Sequence, residues 1–257
     1  MTARDKHAGK VALVTGVSAE AGGIGVGIAR KLAAGGARLV VADLNPSLES
    51  YAPQLAEELG VEVQAFVGDL SDEPSVARMT AAARERFGKV DILVNNAGGG
   101  VIRPFLEHTP ETLRTTIDRN LWTAVWCCYH VLPMMVERGF GRIINIGADS
   151  VRNGLANHAG YNAAKGGVHA MTTGLAREFA RLDITVNTVA PCWVATPRYH
   201  AALAEKNPLA DAFLSVIPKG RAVEISEIAA MVDYLAGDDA AFTTGQVLSI
   251  NGGSTML

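Results

Sequence analysis

A chain of 257 residues with 49% hydrophobic content is long enough for one large α/β domain with a buried core. Its net charge of −3 lacks the basic footprint of a nucleic-acid binder, and no polybasic run seeks an anionic membrane surface. The longest uncharged stretch, residues 121–136, is too short to span a bilayer and contains Pro133, so it reads as a buried or interface helix. The opening MTARDKHAGK has no apolar signal core. Cys127, Cys128 and Cys192 have neither metal-ligand spacing nor the pattern of a disulfide framework. A reduced cytoplasmic protein with inert thiols and no metal is expected.

Short continuous apolar runs, the mark of strands buried on both faces of a parallel sheet, fall at residues 11–15, 38–42, 61–67, 92–95, 142–146, 185–189 and 246–250. Helical stretches lie between them at 28–35, 48–59, 73–87, 110–138, 160–181 and 225–236. Strand alternating with helix implies right-handed βαβ units. The expected fold is α/β: a single-domain, Rossmann-like, doubly wound parallel sheet of about seven strands flanked by helices, over residues 1–257. Residues 193–221, with Pro197, Pro208 and Pro218, break this rhythm beyond the sixth strand, where ligands bind such sheets. They predict a mobile helical flap that covers a substrate.

The first strand runs into Gly16-Val17-Ser18-Ala19-Glu20-Ala21-Gly22-Gly23-Ile24-Gly25 before a helix begins. Glycines there let backbone approach a pyrophosphate, and the helix N-terminus offers it free N–H groups. Ser18 is placed to reach a ribose or phosphate. Asp43, followed by Leu44, closes the second strand, where a carboxylate accepts hydrogen bonds from ribose hydroxyls and repels a 2′-phosphate. No Arg or Lys adjoins it, so NAD is expected rather than NADP. Asp69-Leu70 ends the third strand, within reach of an adenine amino group; Ser71 and Asp72 are better placed to cap the next helix. Asn95-Asn96-Ala97-Gly98 ends the fourth, its small residues leaving the cofactor room to pass.

Tyr161 and Lys165 stand four residues apart, on one face of a helix, so the ammonium can sit beneath the phenol and favour its phenolate. Such a phenol exchanges a proton with a substrate hydroxyl. Together, Thr15-Gly16…Gly23-Ile24-Gly25, Asn95-Asn96-Ala97-Gly98, Tyr161-Asn162-Ala163-Ala164-Lys165, Asn187…Pro191 and Thr244-Gly245-Gln246…Asn251-Gly252-Gly253 resemble the short-chain dehydrogenase/reductase family over essentially the whole chain. The resemblance implies that Lys165 also binds the nicotinamide ribose, that Asn120 holds a water in a proton relay, and that Pro191, Val194 and Thr196 meet the nicotinamide carboxamide. It further implies a homotetramer with contacts from the uncharged helix after Leu121 and from the helix 161–180.

Three departures from the family pattern stand out. Six residues separate Gly16 from Gly23 where the family usually has three, as in the enoyl reductases; those, however, space their tyrosine and lysine more widely. Cys192 follows Pro191 where glycine is usual. Ala148 occupies the place of the family's catalytic serine, thirteen residues before Tyr161. A serine there donates a hydrogen bond to the reacting oxygen, and losing one such donor costs about 3–4 kcal/mol in the transition state. Three readings of Ala148 stand: an introduced change that disables turnover, a natural arrangement in which Ser150 supplies the hydroxyl, or a naturally slow or non-catalytic protein.

The loop from 149 to 158 offers Asp149 and His158 to the substrate, and Trp193 can wall an apolar or ring-shaped one. Trp122 and Trp126, at helical spacing, read as core or subunit contacts. The expected activity is NAD-dependent interconversion of a secondary alcohol and a ketone, on a small alicyclic or aromatic substrate, with Tyr161 as acid/base. A ketoacyl-thioester reductase would require NADPH and a basic patch for a carrier, against Asp43 and the net charge. A cofactor-binding protein with little turnover is the rival from outside enzymology.

Overall fold

A computed structural model describes residues 5–18, 23–205 and 213–256. Its strands are β1 (Val11–Thr15), β2 (Arg38–Asp43), β3 (Val63–Val67), β4 (Ile92–Asn95), β5 (Phe140–Ile146), β6 (Asp183–Pro191) and β7 (Val247–Ile250). They form a seven-stranded sheet of order β3-β2-β1-β4-β5-β6-β7. Every pair is parallel, so each connection crosses over a face of the sheet. The apolar runs are continuous because both faces are covered: all five residues of β1 and all four of β4 are buried.

Helices α1 (Ile24–Ala34) and α2 (Leu48–Leu59), with α9 (Ile225–Ala236), pack Ile28, Leu32, Leu55, Ile228 and Val232 against one face. On the other, α3 (Glu73–Phe87), α5 (Thr123–Arg138) and α7 (Ala159–Phe179) bring Val76, Met79, Val131, Met135 and Ala176. The order of strands reverses where β1 pairs with both β2 and β4, which opens a crevice beyond the carboxyl ends of β1 and β4. The expected doubly wound fold is the one observed. No helix among the described residues is long and apolar enough to cross a membrane.

Two elements differ from expectation for physical reasons. Helix α1 starts at Ile24 rather than 28, although Gly25 and Gly27 are poor helix formers. Both are needed for close approach: a Cβ on Gly25 would lie 2.2 Å from the Gly16 carbonyl oxygen, and one on Gly27 would lie 2.3 Å from Ile225 Cγ2 of α9. The helix expected over 110–138 is broken into α4 (Pro110–Ile117), a π-turn at Asp118–Trp122 and α5. There the Thr123 N–H donates to the Asp118 carbonyl, five residues back.

Candidate active site

At the floor of the crevice the turn after β1, the start of α1 and the turn after β4 meet closely at Gly16, Gly25 and Asn96. Gly16 has φ +72°, and a Cβ on it would lie 2.7 Å from Asn96 Nδ2. That amide donates to the Thr15 and Gly16 carbonyls at 2.9 and 3.1 Å. Thr15 Oγ1 accepts from the Asn96 and Ala97 N–H groups at 3.0 and 2.9 Å. The turn after β1 is thus pinned to the turn after β4. Gly23 caps α1 with no side-chain bond, and Ile24 opens the helix. A helix start has N–H groups without intrahelical partners, which suits a pyrophosphate. Ser18 is half-buried where the described part of the loop ends; Ala19 to Gly22 lie outside the described residues.

Asp43 sits at the end of β2, half-buried, with Oδ1 accepting the Asn45 N–H at 2.8 Å and the rest of the carboxylate open. Leu44 is 59% exposed beside it. Asp69 is exposed and accepts from Ser71 N–H and Oγ, Leu70 is buried, and Asp72 caps α3 through Ser75 N–H. Pro191 ends β6 buried, Val194 bridges to Val223, and Thr196 Oγ1 caps α8 (Pro197–Ala204) by accepting the Tyr199 N–H at 3.3 Å. The glycine cradle, the open helix start and the Asp43 carboxylate suit a dinucleotide.

The chemistry lies under the Asn96–Gly100 turn. A Cβ on Gly98 would lie 2.7 Å from Asn120 Oδ1 and 3.4 Å from Lys165 Nζ; one on Gly100 would lie 3.3 Å from Tyr161 Cδ2. Tyr161, Lys165 and Asn120 therefore converge on one bare stretch of backbone. Asn120 is buried in the π-turn, where Nδ2 donates to the Thr116 and Gly99 carbonyls at 2.8 and 2.9 Å and Oδ1 accepts the Gly99 N–H at 3.1 Å. The kink and the site placement are one device: the amide takes up the Thr116 carbonyl beside the altered helix register and ties the turn to the site.

Lys165 is buried and donates to the Ile146 carbonyl at 2.8 Å. Burial brings its pKa down to about 8 and pushes Tyr161 up to about 12. The ammonium, 6.0 Å from the phenol ring centroid, does not offset that burial, contrary to the expectation that it would favour the phenolate in the protein alone. Forming the phenolate takes positive charge brought nearer than this. Lys165 has two further N–H groups with which to hold ligand oxygens in place.

Ala148 is buried at the end of β5. Its N–H donates to His169 Nε2 at 3.4 Å, a residue the sequence reading passed over although it stands eight positions after Tyr161, two steps along the same helix face. Burial first, then the nearby Arg152 and Lys165 cations, brings the His169 pKa down to about 4. Its neutral form is favoured in the fold, so the unfolded chain binds more protons between pH 4 and 6.5 and stability is lost as pH falls through that window. His169→Gln is expected to flatten the stability profile there, read as denaturant midpoints at pH 7 and 4.5; an unchanged slope counts against it.

Ser150 Oγ donates to Asn162 Oδ1 at 2.6 Å, and Asn162 Nδ2 returns a bond to the Ser150 carbonyl at 2.9 Å. Asp149 corrects an expectation. Rather than facing substrate it is fully buried, its carboxylate accepting from Asn251 Nδ2 at 2.9 Å, Thr255 Oγ1 at 3.1 Å, Ser249 Oγ at 3.3 Å and Ser254 Oγ. Arg152 beside it donates to Ser249 Oγ and the Val247 carbonyl. The turn after β5 is thereby bolted to the C-terminal strand and tail.

Five rings run from Tyr199 of α8 to Tyr161. Tyr199 meets Trp193 edge-on at 4.7 Å, Trp193 meets Phe213 at 5.2 Å, Phe213 meets His158 at 5.7 Å, and His158 meets Tyr161 at 6.0 Å. His158 is presented by Asn157, at φ +65°. Its Nδ1 lies 2.7 Å from the Ala156 carbonyl, which can only accept, so this nitrogen carries the proton. Phe213 carried no sequence signal because it lies in the irregular segment, whose residues 206–212 are outside the described ones. Cys127 and Cys128 are buried, with thiol pKa values raised by that burial. Trp122 is 40% exposed and stacks on Trp126.

The family profile described as "Enoyl-(Acyl carrier protein) reductase" matches residues 16–255. A "2,3-dihydroxy-2,3-dihydro-p-cumate dehydrogenase" of Pseudomonas putida is 59% identical over 251 residues, covering 97% of this chain and 95% of the relative. The chain belongs to the short-chain dehydrogenase/reductase family. Other members include an "Acetoacetyl-CoA reductase" of Allochromatium vinosum, 38% identical over 96% of this chain and 99% of the relative. A "1,6-dihydroxycyclohexa-2,4-diene-1-carboxylate dehydrogenase" of Pseudomonas putida is 35% identical over 95% of this chain and 92% of the relative. The family's tyrosine–lysine pair is the one found beneath Gly98, at the four-residue spacing.

Proposed function

We propose that this protein is an NAD-dependent dehydrogenase that oxidises one hydroxyl of a small cyclic vicinal diol to a ketone. The observation that carries this reading is the convergence of Tyr161, Lys165 and Asn120 beneath the bare Gly98–Gly100 backbone, next to a wall of rings. Two relatives are named for dihydroxylated six-membered rings, including the one at 59% identity, and both names place the hydroxyls on adjacent carbons. Trp193, Phe213 and His158 pack on one another at the distances aromatic pairs favour and form an aromatic cluster beside Tyr161 that suits such a ring.

Bound nicotinamide supplies the hydride acceptor. Tyr161 takes the proton from the reacting hydroxyl, and Lys165, anchored on Ile146, holds the ligand's ribose oxygens with its remaining N–H groups. Asn120 keeps the Gly99 backbone in place and opens a route for the proton. The flap expected at residues 193–221 would cover the ring; Val194 is tied to Val223 at its described base, and residues 206–212 lie outside the described ones. A homotetramer is supported by the exposed aromatic face that runs from the π-turn into α5, where Trp122 and Tyr129 are 40% and 65% exposed.

The test is turnover of cyclic vicinal diols with NAD, read as reduced dinucleotide; cofactor binding without turnover on any ring diol sinks the reading. A ketoacyl-thioester reductase is the second reading, favoured by the Acetoacetyl-CoA reductase relative. Asp43 separates the two. Asp43→Ser removes charge-assisted bonds to the ribose, each worth about 1.5–3 kcal/mol, and the repulsion of a 2′-phosphate. The NAD-to-NADP ratio of kcat/KM is expected to fall at least about tenfold. A wild-type preference for NADP, or an unmoved ratio, contradicts the NAD assignment.

A further inference from the structure

We propose that the substrate itself supplies the hydrogen bond that position 148 cannot: the second hydroxyl of the vicinal diol donates to the oxygen being oxidised. The proposal rests on the cyclic-diol reading above and deepens it, because it makes the neighbouring hydroxyl part of the catalytic apparatus. Ala148 is buried at the end of β5, against the helix that carries Tyr161, Lys165 and His169, and it has only a methyl group at the position where the family resemblance places the donor to the reacting oxygen. The polar groups around it are already engaged. Its own N–H is taken by His169 Nε2. Ser150, the nearest hydroxyl in sequence, has its single hydrogen on Asn162 Oδ1 at 2.6 Å. Asn120 spends both amide hydrogens on the Thr116 and Gly99 carbonyls. Tyr161 is left to serve the reacting oxygen without a second donor from these neighbours.

A hydroxyl on the adjacent ring carbon fills this gap. In a cis diol the two oxygens are gauche and within hydrogen-bond reach, and the donor arrives already oriented, with no protein group to order. During the step, the C–H bond of the reacting carbon breaks and its electron pair leaves as hydride to oxidised nicotinamide dinucleotide. The reacting hydroxyl loses its proton to the Tyr161 phenolate, and its C–O bond becomes a carbonyl. The second hydroxyl keeps its proton and both its bonds. Its hydrogen bond strengthens as charge builds on the neighbouring oxygen, so its effect belongs to the transition state and appears in kcat.

The experiment compares a cis-cyclohexenediol with the cyclohexenol that lacks only the second hydroxyl, on wild-type protein and on Ala148→Ser, measuring kcat and KM separately and following ligand binding by tryptophan fluorescence. Wild type is expected to favour the diol by about 100-fold or more in kcat, the usual worth of one such donor. Ala148→Ser is expected to collapse that preference to within about tenfold by raising kcat on the mono-alcohol. A wild type that oxidises both alcohols at similar kcat overturns the proposal. So does a diol preference confined to KM and to binding, or one that Ala148→Ser leaves intact in a folded, dinucleotide-binding protein. Wild type that binds dinucleotide yet turns over neither alcohol overturns the cyclic-diol reading and this inference with it.

Discussion

Replacing Tyr161 with phenylalanine is expected to lower kcat/KM for alcohol oxidation by about 10³-fold while dinucleotide binding persists, within the range a positioned proton acceptor contributes. The ring is retained, so its edge contact with His158 and its fit against the Gly100 backbone survive. Only the phenolic oxygen goes. Lys165 is a donor bound to Ile146 and Ser150 is tied to Asn162, which leaves His158 Nε2 as the described base nearest the ring. Because burial pushes Tyr161 up to about 12, the wild-type rate is also expected to rise with pH until the assembled site has drawn the phenol's proton off. The phenylalanine variant should lose that rising limb together with the rate. Activity within about tenfold of wild type would place the proton acceptor elsewhere.

Asp149→Ala is expected to be strongly destabilising, lowering Tm by about 6–20 °C. The carboxylate is fully buried and accepts from four side chains of β7 and the C-terminal tail. Removing it strands those donors, and breaking a buried charged network of this kind costs about 3–5 kcal/mol. For a chain of this size, each kcal/mol moves Tm by about 2–4 °C. Asp149→Asn keeps one acceptor oxygen and should fall between. The two roles considered for Asp149 separate cleanly in this experiment. A structural bolt moves Tm in both variants, whereas a substrate ligand would raise KM with Tm unchanged, and the latter result would restore the substrate-lining role.

Sequence legibility followed the strength of the local signal. The continuous apolar runs identified all seven strands because a parallel sheet covered on both faces leaves no polar alternation to confuse them. Helices α2, α3 and α9 matched the residues expected, since each combines an apolar stripe with clear ends such as the Asp72 cap and Gly88. The spacing of Tyr161 and Lys165 predicted one shared helix face, and both side chains lie against the Gly98–Gly100 backbone. What stayed hidden arises between elements. The π-turn at Asp118–Trp122 exists because Asn120 bonds to Gly99 across a loop, which no helical period encodes. Asp149 sat in a loop that looked functional, yet its partners are about a hundred residues away in the tail. Phe213 is a single aromatic in an irregular stretch, and only packing puts it between His158 and Trp193. The phenol–ammonium pair was legible as a pair, but its electrostatic balance depends on burial, which spacing does not reveal.

The most direct test of the central claim uses a cis ring diol carrying deuterium on its carbinol carbons. With wild-type protein and NAD, one deuterium should appear on the reduced nicotinamide for each diol oxidised. Reduced nicotinamide that carries no deuterium, or a folded protein that binds NAD and yields no reduced dinucleotide from any ring diol, would contradict the account.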